Sequence, residues 1–349
     1  MTLSRKSGRW HRAADCRIRL LRVLSAGLLL CLSLAAHGWS ERGHLVIAEQ
    51  AMQRLSSRER DQINKIAQQL VDKDPALKQL QKRHAATSAM ALTAAWLDDQ
   101  RGRSVRDIFS HYGRRVPPQL QPYSTATTDD WHYSNLLYSD HKIDGHRVDG
   151  HKIDGHKVDG HKVDRDTCPG VTSGKLNTLL SVLPDTFASA PDPRDKAIVL
   201  AMLVHLVADA HQPLHGITRA VGECEHDRGG NGFCVSKIGK RSRCDVNLHQ
   251  LWDRGFGSFE GGINDHGVRM QAGVQDEADG LRLRPKDWQK ENLALAERIY
   301  SSPEGLAPNA EYRTWASEVV RQRTRLAAAR IAHLLARMMG LEEVGSDSE

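Results

Sequence analysis

LVHLVADAHQPLH, residues 203–215, puts an imidazole and a carboxylate on one face of an apolar helix. His205 and Asp209 are four residues apart, so they project together. Around them run Ile198, Val199, Leu200, Met202, Leu203, Val204, Leu206 and Val207. A helix apolar on every side belongs inside a protein. Polar groups there are costly unless they are paired or bound to a metal. Pro213 stops the helix and turns His215 back toward the pair. Downstream, NLHQLWD (residues 247–253) repeats the spacing with His249 and Asp253. Two such pairs predict a metal centre of more than one ion.

The surrounding chain reads as helices. Apolar residues recur at three-and-four spacing in Leu45–Leu55, Glu59–Val71, Ala85–Asp98, Ser173–Leu183, Arg194–Ala210, Asn292–Ile299 and Ala310–Met339. Alternating strand patterns are few, with Gly232–Ile238 as a short hairpin arm. The expected fold is all-α, a single mostly helical domain. His141–Arg165 stands apart as five tandem units, HKIDG, HRVDG, HKIDG, HKVDG and HKVDR. A period of five fits neither helix nor strand. One aliphatic residue per unit buries little surface, so the segment reads as a flexible surface insertion. The competing reading is a histidine-rich metal scavenger.

The N-terminus reads as a leader. Met1–Arg22 is basic, Val23–Ala36 is apolar but short for a membrane span, and Ala36-His37-Gly38 offers a cleavage site. Cleavage after Gly38 divides the chain into a signal peptide, 1–38, and a domain, 39–349, that begins at Trp39. An uncleaved signal anchor is the alternative. The leader holds seven of the 49 basic residues and one of the 43 acidic ones, so the remainder balances at 42 of each. Overall charge therefore gives no argument for nucleic-acid binding; any affinity for phosphate must come from the site. Cys168, Cys224, Cys234 and Cys244 remain after cleavage. In an exported chain they suggest two disulfides, with Cys234–Cys244 and Cys168–Cys224 preferred among three connectivities. No Asn-x-Ser/Thr sequon occurs, which suits a bacterial exported protein.

Ligand-type residues in unusual settings number nine. They are Trp39 with its freed amine and His44 in WSERGH, Asp98 in WLDDQR, His132 in WHYSN, and then His205, Asp209, His215, His249 and Asp253. Imidazole and carboxylate without thiolate suit zinc, with manganese as the alternative. At three or four ligands per ion, nine residues fit three ions if one carboxylate bridges two of them.

In this order along the chain, WSERGH, WLDDQR, WHYSN, HLVADAHQPLH and NLHQLWD resemble the motifs of the S1/P1 nucleases, zinc-dependent exported nucleases and 3′-nucleotidases. The resemblance implies the helical fold that this family shares with zinc phospholipase C. It implies one zinc on Asp98, His132, His205 and Asp209, and a second on His215, His249 and Asp253. A third takes the amine and carbonyl of Trp39, His44 and the second oxygen of Asp209. Asp209 is then the bridge. His211, Asp99, His226 and His266 take no ligand role, though Asp99 is placed to orient the cluster.

By the same resemblance, the zinc pair bridged by Asp209 activates water near neutral pH and Asp98 orients it. Arg101 offsets charge on phosphorus, and Tyr133 stacks a base. Fungal members carry an acidic residue where this chain has Asn135, and an amide offers both donor and acceptor. Substrates implied are single-stranded DNA and RNA, with 3′-mononucleotides, cut to 5′-phosphate products by a monomer that is periplasmic or secreted. Two rivals fit some of the same residues. A zinc phospholipase C needs an apolar entrance in place of a stacking residue, and a non-catalytic periplasmic zinc-binding protein would use the pentapeptide array.

Overall fold

Asp192 caps the helix predicted from Arg194, and Pro193 occupies its first turn, so the chain is committed to helix from residue 193. In the computed structural model this helix runs Pro193–Asp209 and is buried from Ala197 onward. The structure describes residues 38–139, 174–222, 225–237, 244–261, 263 and 283–340, with the backbone of 142–143 and 146–147. All of these fall within one compact unit, His37–Glu349. Residues 1–37 of the leader, most of the repeat, His266 and the Cys168–Cys224 pair lie outside the described residues.

The helices in chain order are α1 (Glu41–Arg54), α2 (Ser57–Val71), α3 (Pro75–Arg83), α4 (Ala89–Thr93) and α5 (Val105–His111). They continue as α6 (Leu176–Ser189), α7 (Pro193–Asp209), α8 (Leu248–Asp253), α9 (Pro285–Leu293), α10 (Ala296–Ile299) and α11 (Ala310–Met338). Local chemistry explains their starts. Ser56 and Glu59 form a reciprocal capping box on α2, Ser40 caps α1, and Asn309 caps α11. Around the buried α7 lie α2 and α6, while α11 packs along α1. The fold is mostly helical, as expected.

The strands are short. β1 (Leu136–Tyr138) pairs in parallel with β4 (Ile217–Arg219). β2 (Lys142–Ile143) and β3 (His146–Arg147) pair antiparallel within the first repeats. β5 (Cys234–Lys237) and β6 (Cys244–Asn247) form the expected arm, closed by the Cys234–Cys244 disulfide.

Three expected helices differ from those observed. Ala85–Asp98 contains only α4; beyond Thr93 the chain tightens into turns, then a 3-10 turn at Asp98–Gln100. The Ala94 carbonyl lies 2.8 Å from the Nδ1 of His205, a side chain 111 residues away. Ala94, Trp96 and Asp98 instead bond three residues back. Helix α6 runs on through Pro184, and Asn292–Ile299 is the end of α9 plus α10. Helices α3 and α5 and the β1–β4 pair were not expected.

Candidate metal centre

A buried tryptophan stands beside four of the ligand-bearing segments. Trp39, Trp96, Trp131 and Trp252 are all fully buried. The Trp39 indole donates to the Ala208 carbonyl at 3.0 Å, Trp96 to Asp74 at 3.2 Å, and Trp252 to the Tyr312 hydroxyl at 3.2 Å. Large rings with one anchored polar edge fix the backbone beside them. The β1–β4 pair does the same for His132 and His215: Ser134 N–H donates to the His215 carbonyl at 2.9 Å, and Leu136 N–H to Gly216 at 2.8 Å.

Four ligand atoms converge on one point. His132 Nδ1 lies 2.9 Å from Asp209 Oδ2, 2.9 Å from His205 Nε2 and 3.7 Å from Asp98 Oδ1. His205 Nε2 is 3.1 Å from Asp209 Oδ2 and 3.9 Å from Asp98 Oδ1. Four ligands held ~2.0–2.1 Å from a tetrahedral ion lie about 3.3 Å from one another, so this spacing suits one ion. On the other side of the carboxylate, His44 Nε2 is 3.3 Å from Asp209 Oδ1, and His215 Nδ1 is 3.8 Å from it. The His44 ring stacks on His205 with centroids 4.0 Å apart. A second point is built by His215, His249 and Asp253. Their rings stack at 5.0 Å, and His249 Nε2 is 3.6 Å from Asp253 Oδ2.

Three groups of ligand atoms thus lie within 4.8 Å of one another: His44–Asp98–His205, His132–His205–Asp209 and His215–His249–Asp253. His44 falls beside Asp209 as the resemblance implies, and also beside Asp98 and His205. Three rings turn their Nδ1 to a backbone carbonyl: His205 to Ala94, His215 to His132 at 2.5 Å, and His249 to Gly229 at 2.6 Å. Donation there leaves each Nε2 with its lone pair, the tautomer that a metal takes.

The donor set fits a metal on a second count. Both ring nitrogens of His44 and Oδ1 of Asp209 are buried without a hydrogen-bond partner. Buried polar atoms are rarely left so. Burial pushes the imidazoles of His132 and His215 down to about 4, and burial with the neighbouring His205 lowers His44 too. These rings are therefore neutral near pH 7. Burial also works against His205, but Asp209 and Asp98 outweigh it and raise that ring. Burial opposes ionisation of Asp209, yet His205, His215 and the bond to His132 hold its carboxyl well below the ordinary range. Asp253 goes the other way, pushed well up by burial despite a 2.7 Å bond from Gln212.

The remaining expected residues surround this core. Trp39 sits beside it, with Ser40 N–H donating to the Asp253 carbonyl at 3.0 Å. Gly38 lies so close to Asp209 that an added Cβ would fall 1.9 Å from Oδ1. Arg101 donates from Nε to Asp98 Oδ1 at 3.1 Å. Tyr133 is half-buried, and its ring lies against the α-carbon of Gly174. Asn135 is buried, with an Oδ1 that has no hydrogen-bond partner. His211 points elsewhere, its Nδ1 2.7 Å from the Val207 carbonyl. His226 bonds Thr218. Sequence reading passed over Gln212, which orients Asp253 from inside the HQPLH turn; nothing in its spacing singles it out.

The chain matches the family model for S1/P1 Nuclease over residues 39–340. It belongs to the S1/P1 nuclease family. No curated protein sequence matches it. Family membership makes it a nuclease, a hydrolase acting on phosphodiester bonds, in a family that depends on zinc. The matched stretch contains every ligand-type residue named above. No helix among the described residues is long and apolar enough to cross a membrane.

Proposed function

We propose that this protein is an exported endonuclease that uses three zinc ions to cut single-stranded DNA and RNA, leaving 5′-phosphates, and that also hydrolyses 3′-mononucleotides. The carrying observation is the position of Asp209, whose two oxygens face separate sets of imidazoles. Asp98, His132, His205 and Asp209 would hold one ion; His215, His249 and Asp253 a second. Trp39, through its amine and carbonyl, would hold the third with His44 and Asp209. When bound, the ions supply activated water and offset charge on phosphate and leaving oxygen.

The chain's own residues do the rest. Asp98 orients the nucleophile while Arg101, bonded to the same oxygen, offers its guanidinium to the phosphate. Tyr133, backed by Gly174, provides a stacking face. Ser40, next to Trp39, is already bonded to Asp253 across the site. Gly38 is crowded against the carboxylate that the Trp39 amine must approach, so removal of residues 1–38 completes the centre. The family match beginning at residue 39 supports the same boundary, and secretion of family members supports export. One chain carries all three ligand groups, which supports a monomer.

The test is a substrate panel on protein trimmed to Trp39. Circular single-stranded DNA should be cut far faster than duplex DNA, with 5′-phosphate ends. Cleavage of phosphatidylcholine vesicles without cleavage of nucleic acid would overturn the reading in favour of a phospholipase. A form retaining Gly38 should lose most activity; an equally active one would remove the Trp39 amine from the ligand set.

A further inference from the structure

Behind the metal site, on the outer side of the turn between Asp209 and His215, lies a buried network that no catalytic step uses. Asn292, Arg323 and Arg330 are 1 %, 3 % and 2 % exposed. Asn292 donates from Nδ2 to the Ala210 carbonyl at 2.9 Å and accepts from Arg323 at 2.8 Å. Arg323 also donates to the His211 carbonyl at 3.3 Å and to Glu291 at 2.7 Å. Arg330 takes both oxygens of Glu291, at 2.9 and 2.7 Å, and donates to His211 Nε2 at 2.7 Å. At the other end of the turn, a Cβ on Gly216 would fall 2.6 Å from Asn292 Nδ2. The network therefore bonds residue 210, next to Asp209, and packs against residue 216, next to His215.

Two buried guanidiniums on one carboxylate are a costly way to stabilise a fold, and apolar residues of equal volume often do as well or better. Their bonds end between the ligands of the first and second metal sites. On the functional reading above, we infer that Asn292 and Arg323, with Glu291 holding Arg323, are positioning residues that set the separation of Asp209 and His215, and with it the separation of the two ions. Helix α9 serves the same end through Gln289, which donates to the Ser134 carbonyl beside His132 and Tyr133.

Two conservative variants test this in the zinc-loaded, trimmed protein. Asn292→Asp keeps the shape and the Arg323 bond but sets an acceptor against the Ala210 carbonyl. Arg323→Lys keeps the charge but cannot reach three acceptors in one plane. Arg114→Lys is the control: it breaks a buttressing pair with Asp195 at the start of α7, at 2.6 and 2.7 Å. Each is measured for melting temperature, zinc retained against graded chelator, kcat and KM, and the visible spectrum with cobalt in place of zinc. Both test variants should release zinc at about 10–100-fold lower chelator, lower kcat with KM within about twofold, and change the cobalt spectrum. The control should melt lower yet keep its ions, kcat and spectrum. The inference is overturned if folded test variants match wild type, or lose metal only in proportion to melting temperature as the control does. Failure of both to fold also overturns it, since the network would then serve stability alone. Wild-type protein without zinc would instead sink the functional reading.

Discussion

The ligand group around Asp209 and the one around Asp253 use the same residue types in opposite electrostatic settings. Burial opposes ionisation of Asp209 and Asp98, but His205, the one ring of this group whose pKa is raised, lies beside both and holds them ionised. Asp253 is the lone carboxylate of its group, and burial favours its protonated form. Its imidazoles, His215 and His249, are stacked on each other and aimed at carbonyls. The first group is assembled by long-range contacts from α1, the turn after α4, the WHYSN segment and α7. The second is nearly local, a short helix and one turn. The carboxylates of the first group are thus ionised by their neighbours, whereas that of the second has no such neighbour to offset its burial.

Asp209→Asn attacks the link between the two groups and should have the largest effect. It removes the ionised oxygens that face four imidazoles. Zinc should be lost from more than one site, and turnover should fall by on the order of 10³-fold, the scale of several kcal/mol of charge stabilisation. Undiminished turnover with a full complement of metal would break the shared role. Asp253→Asn confines the damage to one group. Metal analysis should show about one ion fewer, with the first group still loaded and kcat down about 10²-fold, or ~2.7 kcal/mol. Loss of all metal would show that the groups are not separable.

The smallest effect is on the metal-stripped protein. His132 and His215 have folded-state values near 4, below the unfolded 6.5. The unfolded chain then binds protons first as the pH falls. As the pH drops from about 6.5 toward about 4 these two rings should cost stability, and below that Asp209 and Asp98, held under their ordinary range in the fold, should keep it falling. Asp253 and His205, both raised in the fold, work in the opposite direction. A chemical-denaturation series across that range checks the slope. A flat profile would mean that the rings are not buried in the stripped form.

Much of the site was legible because metal ligation constrains residue type and local spacing together. His205 with Asp209 and His249 with Asp253 show their shared helical faces in the sequence, and Pro213 shows the turn that returns His215. The central helix was legible because its apolar residues leave it no wet side. What could not be read depends on partners far away in the chain. At the break the Ala94 carbonyl faces His205, 111 residues away, while the Asp98 N–H bonds Ala95 instead. The β1–β4 pairing, Gln212 and the Asn292–Arg323 network have no local period to announce them. The depth of Asn135, only 8 % exposed, is likewise something that sequence spacing does not encode.

Metal content and activity, followed together on one sample trimmed to Trp39, test the central claim most directly. The account predicts three zinc ions per chain, loss of nuclease activity on chelation, and recovery when zinc is restored. A purified protein free of transition metal, or one that cleaves single-stranded DNA equally well after exhaustive chelation, would contradict it.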